Sequence, residues 1–198
     1  GGAGSRAALE ARLEGARVIL AAKGRHNSLG VRGAGATNAA LSEWGGFFVD
    51  PEAGAAHLEP WLGPGKHTVE DLIEADYRNI VQAGLGMVDP KLAQAQAEDA
   101  LKSRYQLEQW GLRFHQRWLM HHGVPLVVLL NRLLQENGVQ ILEEVLVSDL
   151  LVHRGQCAGA TGVDFQGNSL VIRAGAVVLA TGGDAALYRY NFHPPCVT

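Results

Sequence analysis

The alternation of apolar and polar positions divides this chain into helical, strand-like and irregular stretches. From Ser5 to Gly15, Ala7, Ala8, Ala11 and Leu13 fall on one side of a helical wheel, which predicts a short helix able to pack closely on a sheet. "ARVILAAKG" follows, with an unbroken apolar run from Val18 to Ala22, the pattern of a fully buried parallel strand. Helix followed by buried strand implies a βαβ unit whose first strand lies ahead of Gly1. From His26 to Gly65 the chain is rich in Gly, Ala, Asn and Pro without periodicity, which predicts a long ligand-facing loop.

Three helices are expected next. Thr68 can cap the first, Asp71 stands at the capping-box position and Gly84 ends it. The second runs from Pro90 through Trp110 to a stop at Gly111, and the third from Pro125 to Asn137 with Gly138 beyond it. "VQILEEVLVSDLLVHRG", "QCAGATGVDF" and "SLVIRAG" then read as a three-stranded antiparallel meander, and "AVVLATGG" as a last buried strand ending in two glycines. The fold class is α/β: a Rossmann-like arrangement with a parallel sheet, a helical insertion and the meander. Residues 1–198 form one domain on this reading, and 41–122 form a loop and helical excursion from it.

Composition narrows the chemistry only slightly. Net charge is −3, with 47% hydrophobic and 19% charged residues, so neither nucleic acid nor an anionic membrane surface is an expected partner. No apolar run reaches membrane-spanning length. The 25 glycines are in excess and cluster at 1–4, 30–35, 45–46, 63–65 and 182–183, where tight turns or close approach of a ligand are expected. Two cysteines, Cys157 and Cys196, lack metal-ligand spacing, and such sparse use suits a reducing compartment. The adjacent pair His121-His122 points to different sides of any regular element and has no Cys or acid at ligand spacing, so no metal site is assigned.

The opening "GGAGSRAALEA" spaces Gly1 and Gly4 as the second and third glycines of G-x-G-x-x-G. In dinucleotide folds those glycines bring backbone amides at a helix N-terminus against a pyrophosphate. With "VILAAKG", "SLGVRGAGATNAAL", "MHHG", "ILEEVLVSDLLV" and "VVLATGGDAALY" in order after it, the chain resembles the FAD-binding domain of flavoproteins related to succinate dehydrogenase, fumarate reductase, L-aspartate oxidase and adenylylsulfate reductase. The resemblance is strongest over 1–40 and 140–190.

The resemblance implies noncovalent FAD as cofactor. Gly1, Gly2, Ala3, Gly4 and Ser5 would cover the pyrophosphate, and Lys23 and Gly24 would follow the ribose position. Ser28, Leu29, Gly30, Gly33, Ala34 and Gly35 would line the flavin, with Val147, Ala180, Thr181, Gly182 and Gly183 completing the contacts. Departures are specific. Strand "VILAA" ends at Lys23 where dinucleotide folds often carry Asp or Glu for the ribose. Leu29 stands where covalently linked members carry histidine, and Ala34-Gly35-Ala36 replaces Gln-Gly-Gly.

The function implied is two-electron or hydride transfer through FAD by a fumarate reductase or succinate dehydrogenase-like oxidoreductase. Its substrate would be a dicarboxylate or similar anion, its electron partner an iron–sulfur subunit, and its location cytoplasmic or peripheral on the cytoplasmic side of a membrane. Its catalytic arginine and histidines would lie beyond residue 198. An adenylylsulfate reductase α-like subunit, to which "WLMHHG" is similar, is one alternative; a noncatalytic FAD-binding electron-transfer subunit is the other. Tyr105 and Trp110 are assigned to packing, "EDLIEADY" and "EDALKSR" to solvated helix faces, and neither cysteine to a nucleophile.

Overall fold

The computed structural model describes residues 1–25, 67–113, 123–183 and 187–190. In chain order the described elements are α1 (Gly2–Leu13), β1 (Ile19–Ala21), α2 (Val69–Ala83), α3 (Pro90–Gln109), α4 (Gly123–Glu136), β2 (Gln140–Leu142), β3 (Val145–His153), β4 (Gln156–Asp164) and β5 (Ser169–Arg173). They fall into two units, Gly1–Leu41 with Gly123–Thr198, and Ser42–His122.

In the first unit α1 starts on the glycines themselves: Gly1 is its N-cap and Gly2 to Gly4 form its first turn. The expected start at Ser5 is therefore too late. Its inward face, Ser5, Ala8 and Leu9, is buried and packs on α4, which contributes Val127, Leu130 and Leu134. Leu9 and Leu134 are almost wholly withdrawn from water, each contributing about 2 kcal/mol of transfer free energy. The Arg12 Nε donates to the Asn137 carbonyl at 2.7 Å, fixing the end of α1 to the end of α4. Both helices stop the same way. The amide of Ala16 reaches Ala11 and that of Val139 reaches Leu134, with Gly15 and Gly138 in the left-handed position between them.

Strand β1 pairs in parallel with β2, Ile19 opposite Gln140 and Ala21 opposite Leu142. It is not fully buried, since Ile19 is 41% exposed; a parallel strand is enclosed only with neighbours on both edges and cover on both faces, and its ladder among the described residues is to β2 alone. The run "VQILEEVLVSDLLVHRG" is two strands in two sheets. Glu144, at φ 55, turns the chain between β2 and β3, so only β3, β4 and β5 form the antiparallel meander. Hydrogen bonding to a neighbour, which composition does not encode, divides the run.

The expected last strand differs more. Residues 174–183 form no ladder among the described residues, and Val178 and Leu179 are 72% and 63% exposed. An apolar run becomes a strand only when a neighbour accepts its backbone groups.

Within the meander, β3 carries irregularities between Val147 and Asp149 and between Leu151 and Val152, which raise its twist. Glycine is required at two positions of β4. A Cβ on Gly162 would lie 2.6 Å from the Leu146 carbonyl oxygen, and one on Gly159 would strike that of Ile172.

In the second unit the Thr68 hydroxyl accepts from the Asp71 amide at 3.1 Å while the Asp71 carboxylate accepts from the Thr68 amide at 2.9 Å, closing the capping box. Asp89 caps α3 ahead of Pro90. Ala93, Ala97 and Ala100 are buried on α3, and Leu72 and Ala75 on α2; alanine at these positions lets the helices approach closely. An open groove of about 610 Å³ runs along them, lined by residues that include Val69, Ile73, Ala97 and Tyr105. Tyr105 corrects the packing assignment: it is 45% exposed, with the Arg104 guanidinium 5.6 Å from its ring centre, and Leu107 takes the interior instead.

Asp76 is a second correction. It belongs to "EDLIEADY", read as a solvated face, yet it is 1% exposed, and its Oδ2 has no hydrogen-bond partner among the described residues. Burial pushes its carboxyl up to about 6 from 3.8. Because the folded value is the higher one, the folded chain retains a proton that the unfolded chain releases. Stability is then lost as pH rises from about 4 to 6 and stays lower above that window. Asp76→Asn is expected to gain of the order of 2 kcal/mol at pH 8 and to remove that slope in urea denaturation; an unchanged pH profile contradicts the assignment. Gly162→Ala is expected to lose about 2 kcal/mol or more, whereas Gly175→Ala, with nothing within 4 Å of its Cβ, stays within about 0.5 kcal/mol of the parent.

Candidate functional site

Two local arrangements in the first unit carry most of the described sequence-predicted residues. The first is the N-terminus of α1. Four amides at a helix start lack intrahelical acceptors, and here the Ser5 amide donates to the Gly1 carbonyl at 3.0 Å as the first helical bond. No side chain caps this end and no acid stands in the first turn, so the positive end of the helix dipole is not neutralised locally. The Ser5 hydroxyl donates back to the Gly1 carbonyl at 2.9 Å, and the serine is buried as a structural group. Gly1 and Ala3 are exposed, and Gly2 and Gly4 are half-buried.

Gly4 is where three pieces of chain meet. A Cβ there would stand 3.4 Å from the Ala180 Cβ and 3.7 Å from the Leu20 Cδ1. The helix start, strand β1 and the 174–183 segment thus meet at Gly4, against Leu20 and Ala180. Thr181, Gly182 and Gly183 follow Ala180 on the surface, Gly182 at φ 78.

The second arrangement surrounds the carboxyl end of β1. The Ala22 amide donates to Leu142, the Val145 amide to the Ala22 carbonyl at 3.0 Å, and the Glu144 amide to the Gly24 carbonyl at 3.4 Å. Arg25 Nε lies 3.0 Å from the Glu144 Oε1. That carboxylate holds the Arg25 guanidinium above its usual range by hydrogen bond and charge. Lys23 is exposed beside it and Gly24 half-buried. Val147 sits in β3 opposite Gly162, 39% exposed.

Ser28, Leu29, Gly30, Gly33, Ala34 and Gly35, the residues assigned to the flavin, lie outside the described residues, as do His121, His122 and Cys196. Cys157 is half-buried with its thiol 3.6 Å from the Gly159 carbonyl. Sequence reasoning passed over Glu144 and Arg25. The pair spans 119 positions, and no local signal links residues that far apart.

Residues 116–197 match a family described as FAD binding domain. The chain is 43% identical over 61 residues to the fumarate reductase flavoprotein subunit of a Serratia strain, a stretch covering 30% of this chain and 10% of that protein. The fumarate reductase (CoM/CoB) of Methanothermobacter marburgensis contains a polypeptide that is 25% identical over 211 aligned positions, covering 95% of this chain and 34% of the relative. The open conformation of a flavocytochrome c3 fumarate reductase superposes with a TM-score of 0.71 at 23% identity, over 93% of this chain and 32% of that one. This chain therefore spans about a third or less of the length of these relatives. Residues 116–197 thus match an FAD-binding family, and over most of its length the chain is similar to fumarate reductase flavoproteins.

Proposed function

We propose that the unit formed by Gly1–Leu41 and Gly123–Thr198 holds FAD noncovalently in a flavoprotein oxidoreductase of the fumarate reductase type, with 41–122 as a loop and helical excursion. The observation that carries the reading is the start of α1: a glycine-rich first turn with no acid and no side-chain cap, Gly1 and Ala3 exposed, and Gly4 beside Ala180 and Leu20. That is a cradle for an anion approached by backbone. A Cβ and anything beyond it at residue 4 would occupy the contact zone.

On this reading Gly1, Gly2, Ala3, Gly4 and Ser5 surround the pyrophosphate, with N–H groups donating to its oxygens. Lys23 and Gly24, at the carboxyl end of β1, lie toward the adenosine. Val147, Ala180, Thr181, Gly182 and Gly183 complete the wall, and the resemblance assigns Ser28, Leu29, Gly30, Gly33, Ala34 and Gly35, outside the described residues, to the flavin. FAD when bound supplies two-electron transfer; the chain binds and orients it and limits access of water. The absence of histidine at residue 29 supports a noncovalent cofactor. The fumarate reductase names of the relatives support a dicarboxylate or similar anion as substrate of the whole protein, and an iron–sulfur electron partner belongs to the same proposal.

The 198-residue chain, reconstituted with FAD and desalted, is expected to be yellow, and acid precipitation is expected to leave the colour in the supernatant. Gly4→Leu is expected to keep its helical circular dichroism and to lose about 100-fold or more in FAD affinity. A colourless wild-type chain, or a Gly4→Leu variant that binds normally, overturns the reading.

A further inference from the structure

The end of β1 poses an unanswered question. Dinucleotide-binding folds commonly place a carboxylate there to accept the ribose hydroxyls, and this strand continues as Ala22-Lys23-Gly24-Arg25. A carboxylate nevertheless stands at the same place. The corner between β2 and β3 brings Glu144 against the residues that follow β1, its amide on the Gly24 carbonyl and its Oε1 on Arg25.

Three features distinguish Glu144 from an ordinary surface acid. It adopts φ 55, a left-handed backbone that a residue with a long side chain disfavours and that glycine or asparagine would take more readily. Its position is held from two directions, by a backbone bond and by a side-chain partner. Only Oε1 is engaged by Arg25, while Oε2 has no hydrogen bond to a described residue, and the side chain is 35% exposed. A side chain kept at a strained corner and oriented by a cation, with one oxygen unengaged among the described residues, is arranged to accept a hydrogen bond.

We propose that Glu144 accepts the hydroxyls of the adenosine ribose, in the role that a strand-end acid performs elsewhere, and that Arg25 is its positioning residue. This rests on the FAD reading given above. It also replaces Lys23, which has donors and no acceptor, as the residue that reads the ribose.

The test compares FAD with an analogue lacking both hydroxyls of the adenosine ribose, bound to the full 198-residue chain and two variants. The wild-type chain is expected to prefer FAD by about tenfold or more, the effect of a hydrogen bond to a charged acceptor. Glu144→Gln is expected to lose most of that preference while binding the analogue as before. Glu144→Gly separates binding from structure: it relieves the left-handed backbone and is expected to raise the thermal midpoint while FAD affinity falls about tenfold. A wild-type chain that binds FAD, with a Glu144→Gln variant that keeps the preference or weakens both compounds equally, overturns this assignment alone. A wild-type chain that binds neither compound overturns the cofactor reading and this assignment with it.

Discussion

Contact between the start of α1, strand β1 and the 174–183 segment is the constraint on which the candidate site depends. A Cβ at residue 4 would stand 3.4 Å from the Ala180 Cβ and 3.7 Å from the Leu20 Cδ1, so a side chain longer than alanine's would crowd the contact. Packing of Leu9 and Ala8 against Leu130 and Leu134 of α4 holds the helix in that position, and Arg12 fixes its far end to Asn137. Burial thus anchors the middle of α1, while Gly1 and Ala3 at its start are exposed. Protein interiors are stiff enough for such an arrangement to be maintained without a ligand. The local helix dipole, with no acid in the first turn, favours negative charge at this end.

The β2–β3 corner plays the corresponding part at the end of β1. Parallel pairing of β1 with β2 brings Leu142 and Ala22 together, and the chain must then leave that sheet for the meander. Glu144 makes the turn in a backbone conformation that its side chain does not favour, while the Arg25 contact is solvent-exposed and therefore adds little stability by itself. In the other unit the unfavourable feature is burial of Asp76, whose carboxyl is moved toward neutrality by the loss of water alone. Both places carry a local penalty that the surrounding packing sustains.

Much of the fold was legible in the sequence because its signals are local. Thr68 with Asp71, Pro90, and Gly111 and Gly138 after their helices are start and stop signals acting within a few residues. Order of elements and the antiparallel meander followed from strand-like runs and glycine-bearing turns. What failed was non-local. The split at Glu144, the lack of a ladder for 174–183 among the described residues and the burial of Asp76 depend on which other segment lies alongside. For the candidate site, the glycines at residues 1–4 and 182–183 were visible as unusual composition, whereas the Arg25–Glu144 pairing was not, because its partners are distant in sequence and ordinary in type.

The most direct test of the central claim is a backbone amide NMR titration of the 198-residue chain with FAD. The account predicts that the largest shift changes fall together on residues 2–5, 22–25, 144–147 and 180–183. Changes confined to the groove that includes Val69, Ile73 and Tyr105, or present at one end of the chain without the other, would contradict it.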